Sequence, residues 1–197
     1  REKYVPRLKV NNYIFYRDFK VSKSKMYFDG EHRTGLFTKE NLVRDIDEEF
    51  KVNGASPAVP PLQTKTNLYE RVQHKSNWKE LYLTIQNSLL KYYTKPFILK
   101  ESWANKAMDN SAFGFHTHDR DITVVYYVKN NYPEFGTNID EQVIIPGIED
   151  SLLIFDGKIR HQLCNMPFEL SVHPQNHRYS IVFDFNIDKN KETRYIN

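Results

Sequence analysis

The stretch FHTHDRDITVVYYV, residues 115–128, sets two histidines two positions apart just before an apolar run of β-branched and aromatic residues. The run 122–128 is mostly apolar and has strand composition. In an extended chain, positions i and i+2 share a face, so His116 and His118 can both reach one cation at about 2 Å. The alternative is a pair of solvated loop residues. A third ligand would favour the metal reading, and His161 is the candidate: it follows SLLIFDGKIR, residues 151–160, which reads as a buried strand and a turn. Three protein ligands leave other coordination positions open, an arrangement suited to iron(II) oxygen chemistry.

Downstream, RYSIVFDF (178–185) alternates Arg178 and Ser180 onto one face of a strand and Tyr179 onto the other. An arginine facing inward needs an anionic partner, and a guanidinium fork beside a hydroxyl fits a carboxylate. A surface ion pair to Asp184 or Glu169 is the structural alternative. Six short apolar runs, at 97–103, 122–128, 142–145, 151–155, 161–164 and 179–185, are divided by turn residues. That spacing predicts a sandwich or barrel.

Upstream the pattern changes. Residues 10–19 read as an aromatic strand. Thr38 is a candidate N-cap for a helix carrying Leu42, Ile46 and Phe50 on one stripe. VNGASPAVPPLQT, residues 52–64, breaks regular structure with glycine and proline. A second helix is expected from Asn77, with Glu80 completing a capping box, Trp78, Leu81, Ile85, Leu89 and Tyr92 on the apolar face, and Pro96 ending it.

The 197 residues suit one domain, and the single cysteine, Cys164, excludes an intramolecular disulfide framework and a zinc site of several thiolates. A net charge of +3, from 28 basic and 25 acidic side chains, does not indicate nucleic acid. No apolar run approaches membrane-spanning length, and the opening REKYVPRLKV lacks a signal peptide's apolar core. The expected location is the cytoplasm, that of the host if the chain is viral.

Taken together, HTH before ITVVYYV, then PGIEDSLLIFDGKIRHQL, then RYSIVFDF resemble the iron(II)- and 2-oxoglutarate-dependent oxygenases, closest to small viral and bacterial members related to prolyl hydroxylases. The resemblance covers residues 97–187, with NWKELYLTIQNSLLKYY similar to the supporting helix before the barrel. It implies a mainly β fold, a double-stranded β-helix or jelly roll with N-terminal supporting helices. The whole chain, 1–197, would be one oxygenase domain, with residues 1–96 as elaboration, 97–187 as the barrel and 188–197 as a tail.

Residue by residue, the resemblance implies His116 and His161 as iron ligands, with His118 where the family carries aspartate. Asp119 or Asp121 are the other candidates for that place. Arg178, assisted by Ser180, would hold the distal carboxylate of 2-oxoglutarate, and Tyr127 would donate its hydroxyl to the same group while Tyr126 faces away. The implied cofactors are iron(II) and 2-oxoglutarate, and the partners dioxygen and a peptide prolyl group or small molecule. NMPFELSVHPQNH, residues 165–177, is expected to form a loop over the site entrance. Two other readings are a cupin-like metalloenzyme without 2-oxoglutarate and a non-catalytic binding barrel.

Overall fold

The computed structural model describes residues 13–16, 38–57, 62–108 and 114–190. Strand β1 (Tyr13–Tyr16) falls within the expected 10–19 run, the remainder of which lies outside the described residues. Helix α1 (Lys39–Asn53) starts where Thr38 accepts a hydrogen bond from the Asn41 amide at 3.2 Å. Leu42 and Ile46 are fully buried along its stripe, and Phe50 is partly so.

A short strand β2 (Leu62–Gln63) and helix α2 (Leu68–Val72) arise inside the segment expected to be irregular and just beyond it. Helix α3 (Ser76–Leu89) lacks the expected capping box: it begins at Ser76 after Lys75, which makes no side-chain cap bond. Asn77 is therefore already within the first turn, where its side chain is not placed to cap it. The helix also stops before Tyr92, well short of Pro96.

Further along the described residues come β3 (Phe97–Ala107), β4 (Ile122–Lys129), β5 (Thr137–Ile139), β6 (Val143–Ile145), β7 (Leu152–Phe155), β8 (His161–Leu163), α4 (Phe168–Ser171), a 3-10 turn (Pro174–Asn176) and β9 (Arg178–Ile187). They form two antiparallel sheets, the larger in the order β1-β7-β4-β9-β3-β2 and the smaller β6-β5-β8. The six expected strands are all present within a few residues of their read bounds. β3 runs further than read, because its far end pairs with both β2 and β9.

Side-chain alternation divides the core into two layers. On the outer face of the large sheet, Val124, Tyr126, Val128, Ile181, Phe183 and Phe185 pack against Leu42, Ile46, Trp78, Leu81, Ile85 and Leu89 of the helices. On the inner face, Trp103, Val125, Tyr127, Leu153 and Val182 meet Ile139 and Ile145 of the small sheet. Both faces of β4 are thus covered, which is why ITVVYYV is continuously apolar. Each large side chain buried in these layers stabilises the fold by about 1.5–3 kcal/mol. The space left between the two sheets is where the polar residues gather.

Candidate metal and anion site

The histidine pair lies in the segment that precedes β4. His116 forms an isolated antiparallel bridge with His161, the first residue of β8, through reciprocal backbone bonds of 3.1 and 3.0 Å. This bridge adds a rung to the small sheet and carries both rings to its inner side. His118 is fixed separately, its amide donating to the Gly157 carbonyl at 2.6 Å. Gly157 is required there: a Cβ would lie 2.7 Å from the Arg120 carbonyl and 2.9 Å from Thr123 Oγ1.

The three imidazoles converge. Ring centroids are 4.4 Å apart for His116 and His161, 4.8 Å for His118 and His161, and 5.3 Å for His116 and His118. One candidate ligand atom from each ring lies within 4.8 Å of the others.

Their tautomers follow from what each Nδ1 touches. His116 Nδ1 lies 2.8 Å from the Gly114 carbonyl and His161 Nδ1 2.8 Å from that of Ile159. A carbonyl only accepts, so each Nδ1 carries the proton and the lone pair sits on Nε2. His118 Nδ1 faces the Asp184 carboxylate at 3.0–3.1 Å, which sets the same tautomer. Burial pushes the His161 imidazole down to about 3, the neighbouring rings adding to the effect, and burial also lowers that of His116. Both rings are therefore neutral near pH 7, the form in which imidazole binds metal.

Asp119 and Asp121, the other candidates beside His118, are turned elsewhere. Asp121 accepts the Ile187 amide at 2.8 Å and faces Lys158 at 3.3 Å, and both aspartates line a surface groove with Lys158 and Lys189. In their place the structure brings in Asp184. It is 1% exposed, accepts a 2.7 Å bond from Thr123 Oγ1, and meets His118 instead of Arg178. Its inward orientation was legible: Asp184 shares the parity of Arg178 and Ser180 along β9.

The three histidines line a cavity of about 260 Å³ with Trp103, Asn105, Val125, Tyr127, Ser180 and Val182 of the large sheet and Thr137 and Leu163 of the small one. Sequence reading missed Trp103, Asn105 and Thr137, because only strand pairing brings them here. Arg178 lies beyond Ser180, lining an adjoining crevice with Asn105, Tyr127 and Leu163.

Arg178 is 5% exposed and no carboxylate pairs with it among the described residues. Its Nη1 donates to the carbonyls of Cys164 at 2.7 Å and Phe135 at 3.1 Å, while Nη2 is buried with no partner. A buried guanidinium with an unsatisfied donor fits an anionic ligand. Tyr127 bonds Thr137 Oγ1, and burial raises its phenol, so it stays protonated. Tyr126 faces the helices and donates to Asp150 at 2.6 Å. Residues 165–177 do not cover the cavity, contrary to expectation: none lines it, and Gln175 and Asn176 are tied instead to Asn131.

No protein-family model matches the chain, and no curated protein matches it in sequence. Solved structures do. HygX from Streptomyces hygroscopicus, with nickel and 2-oxoglutarate bound, aligns over 95% of this chain and 92% of its own at TM-score 0.54 and 10% identity. The viral collagen prolyl hydroxylase of Paramecium bursaria Chlorella virus-1, a 2-oxoglutarate complex, aligns over 88% and 95% at TM-score 0.54 and 11% identity. A Pseudomonas putida prolyl-4-hydroxylase aligns over 76% and 85% at TM-score 0.51 and 14% identity. The fold is that of the iron(II)- and 2-oxoglutarate-dependent oxygenases, prolyl hydroxylases among them. No helix among the described residues is long and apolar enough to cross a membrane.

Proposed function

We propose that this chain is an iron(II)- and 2-oxoglutarate-dependent dioxygenase, a single domain whose two sheets are the walls of a double-stranded β-helix. His116, His118 and His161 hold the metal. Arg178, with Ser180 and Tyr127, holds the distal carboxylate of 2-oxoglutarate. The observation that carries this reading is the adjacency of a convergent histidine triad lining the cavity and the partnerless Nη2 of Arg178 in the crevice that adjoins it.

When bound, iron and 2-oxoglutarate together supply the oxidant for a substrate C–H bond, with dioxygen consumed and succinate and carbon dioxide released. The chain's own residues keep His116 and His161 neutral by burial, turn the Nε2 lone pairs of the three rings inward, neutralise the acid at its far end, and exclude water with Trp103, Val125 and Val182. The substrate classes proposed are a peptide prolyl group or a small molecule: similar structures include prolyl 4-hydroxylases and HygX with hygromycin B bound.

The test is anaerobic titration with iron(II) and then 2-oxoglutarate, followed by visible spectroscopy. The expected result is the weak charge-transfer band of a chelated keto acid, lost in His116→Ala and His161→Ala. Metal binding without that band, or turnover that does not depend on 2-oxoglutarate, would overturn the assignment.

A further inference from the structure

Three imidazoles bring a divalent ion no compensating negative charge, yet a carboxylate lies against one of them, His118. Asp184 is 1% exposed and, among the described residues, no lysine or arginine pairs with it. Arg120, two residues from His118, pairs instead with Glu101 at 2.9 Å. Asp184 is held by the Thr123 hydroxyl at 2.7 Å and the Nδ1 of His118 at 3.0–3.1 Å. A buried carboxylate is costly unless a positive charge or strong donors face it. Here the group facing it is an imidazole that, on coordination through Nε2, becomes a stronger N–H donor.

We propose that Asp184 is a positioning residue of the metal centre, supplying through the His118 ring the negative charge that a directly coordinated carboxylate would otherwise bring. The inference rests on the metal reading above and deepens it. His118 then has two tasks: it donates a lone pair to the ion and relays the field of a carboxylate that never touches it. Thr123 is the second support. Its hydroxyl donates to Asp184 and lies 3.3 Å from His118 Nδ1, fixing the carboxylate against the ring. Outer partners of this kind change metal affinity by about 10–100-fold when removed from other histidine sites. The neighbouring rings differ in this respect, since His116 and His161 lean on neutral backbone carbonyls. The charge compensation is therefore concentrated on one ligand.

The experiment is cobalt(II) titration, read by the ion's visible bands, on four forms of the full chain: wild type, Asp184→Asn, His118→Asp, and the double variant. Asparagine keeps the shape and one oxygen that can accept from Nδ1 and Thr123, so Asp184→Asn removes the charge and exchanges the second oxygen, 3.0–3.1 Å from Nδ1, for an NH2. The expected result is a loss of about 10-fold or more in affinity on Asp184→Asn in the wild-type background. In the His118→Asp background the same change should leave affinity unchanged or raise it, because the charge then sits on the ligand itself and Asp184 only repels it. A purely structural role would lower affinity in both backgrounds, and that outcome overturns the inference. Wild-type binding that matches Asp184→Asn within twofold overturns it too, while leaving the triad in place. If wild type takes up no cobalt(II), the metal reading fails and the inference with it. Thr123→Ser, which keeps the hydroxyl, should bind as wild type does, and Thr123→Val should fall with Asp184→Asn.

Discussion

The hydroxyls of Tyr127 and Thr137 are bonded to each other across the interior, one from the central strand β4 of the large sheet and one from β5 of the small sheet. Both residues line the cavity, so this bond ties its two walls together beside the proposed anion anchor. Tyr127→Phe should leave a buried Thr137 oxygen without its partner at a cost of about 1–3 kcal/mol. Adding Thr137→Val should recover most of that loss, because the unmatched polar atom is then gone. Urea denaturation of the two single variants and the double variant measures both effects.

Arg178→Ala should weaken 2-oxoglutarate binding to metal-loaded protein by about 30-fold or more, corresponding to roughly 2 kcal/mol for a buried charge contact. Arg178→Lys should recover only part of it, since a lysine keeps charge but not the fork. Calorimetric titration with the keto acid reads this, and equal affinity in all three proteins would remove Arg178 from the site.

Gly157→Ala should damage stability and metal binding together. Its Cβ would fall 2.9 Å from Thr123 Oγ1 and 2.7 Å from the Arg120 carbonyl. Relieving the overlap should cost about 1–3 kcal/mol and displace the hydroxyl that holds Asp184 against His118. A lower melting temperature with unchanged cobalt(II) affinity would show that the 116–120 segment adjusts independently.

The metal-free protein should lose stability on acidification. The His161 imidazole stands at about 3 in the folded chain against the ordinary 6.5, chiefly through burial. Between those values the unfolded chain binds the proton that the folded one refuses. Its contribution is full above about pH 6.5 and is lost as pH falls through the window toward about 3. Melting temperatures measured with chelator across that range should fall less steeply in His161→Gln.

Much of this architecture was readable from local pattern. The six strands from 97 to 187 follow from apolar runs broken by turn residues, and the stripe of Leu42 and Ile46 on α1 from its fourfold spacing. Arg178 and Ser180 share the inward face of β9 that alternation assigns them, and Tyr126 faces the helices as the family resemblance implies. What local pattern could not supply was pairing. Thr137 belongs to a three-residue strand without periodicity of its own, and it reaches the cavity only because β5 pairs with β6 and β8. Local pattern offers Asp184 only as one surface partner for Arg178, although two inward positions of β9, Ser180 and Val182, lie between them. Length alone suggests the 165–177 segment as a cover for the cavity; its anchoring to Asn131 depends on contacts across 45 residues of sequence.

Strand β9 carries Arg178, Ser180, Val182 and Asp184 on a single face. The anion anchor and the support of His118 are therefore separated by an even count of residues on one rigid element, about 20 Å of extended chain. Insertion or deletion of one residue between them would leave one end facing the cavity and rotate the other into the helices. Length changes in this strand are thus tolerable only in pairs, whereas the loops on either side of it are free to vary. Among distant relatives of this chain, an alignment gap of odd length inside RYSIVFDF would mark a protein that has abandoned one half of the site.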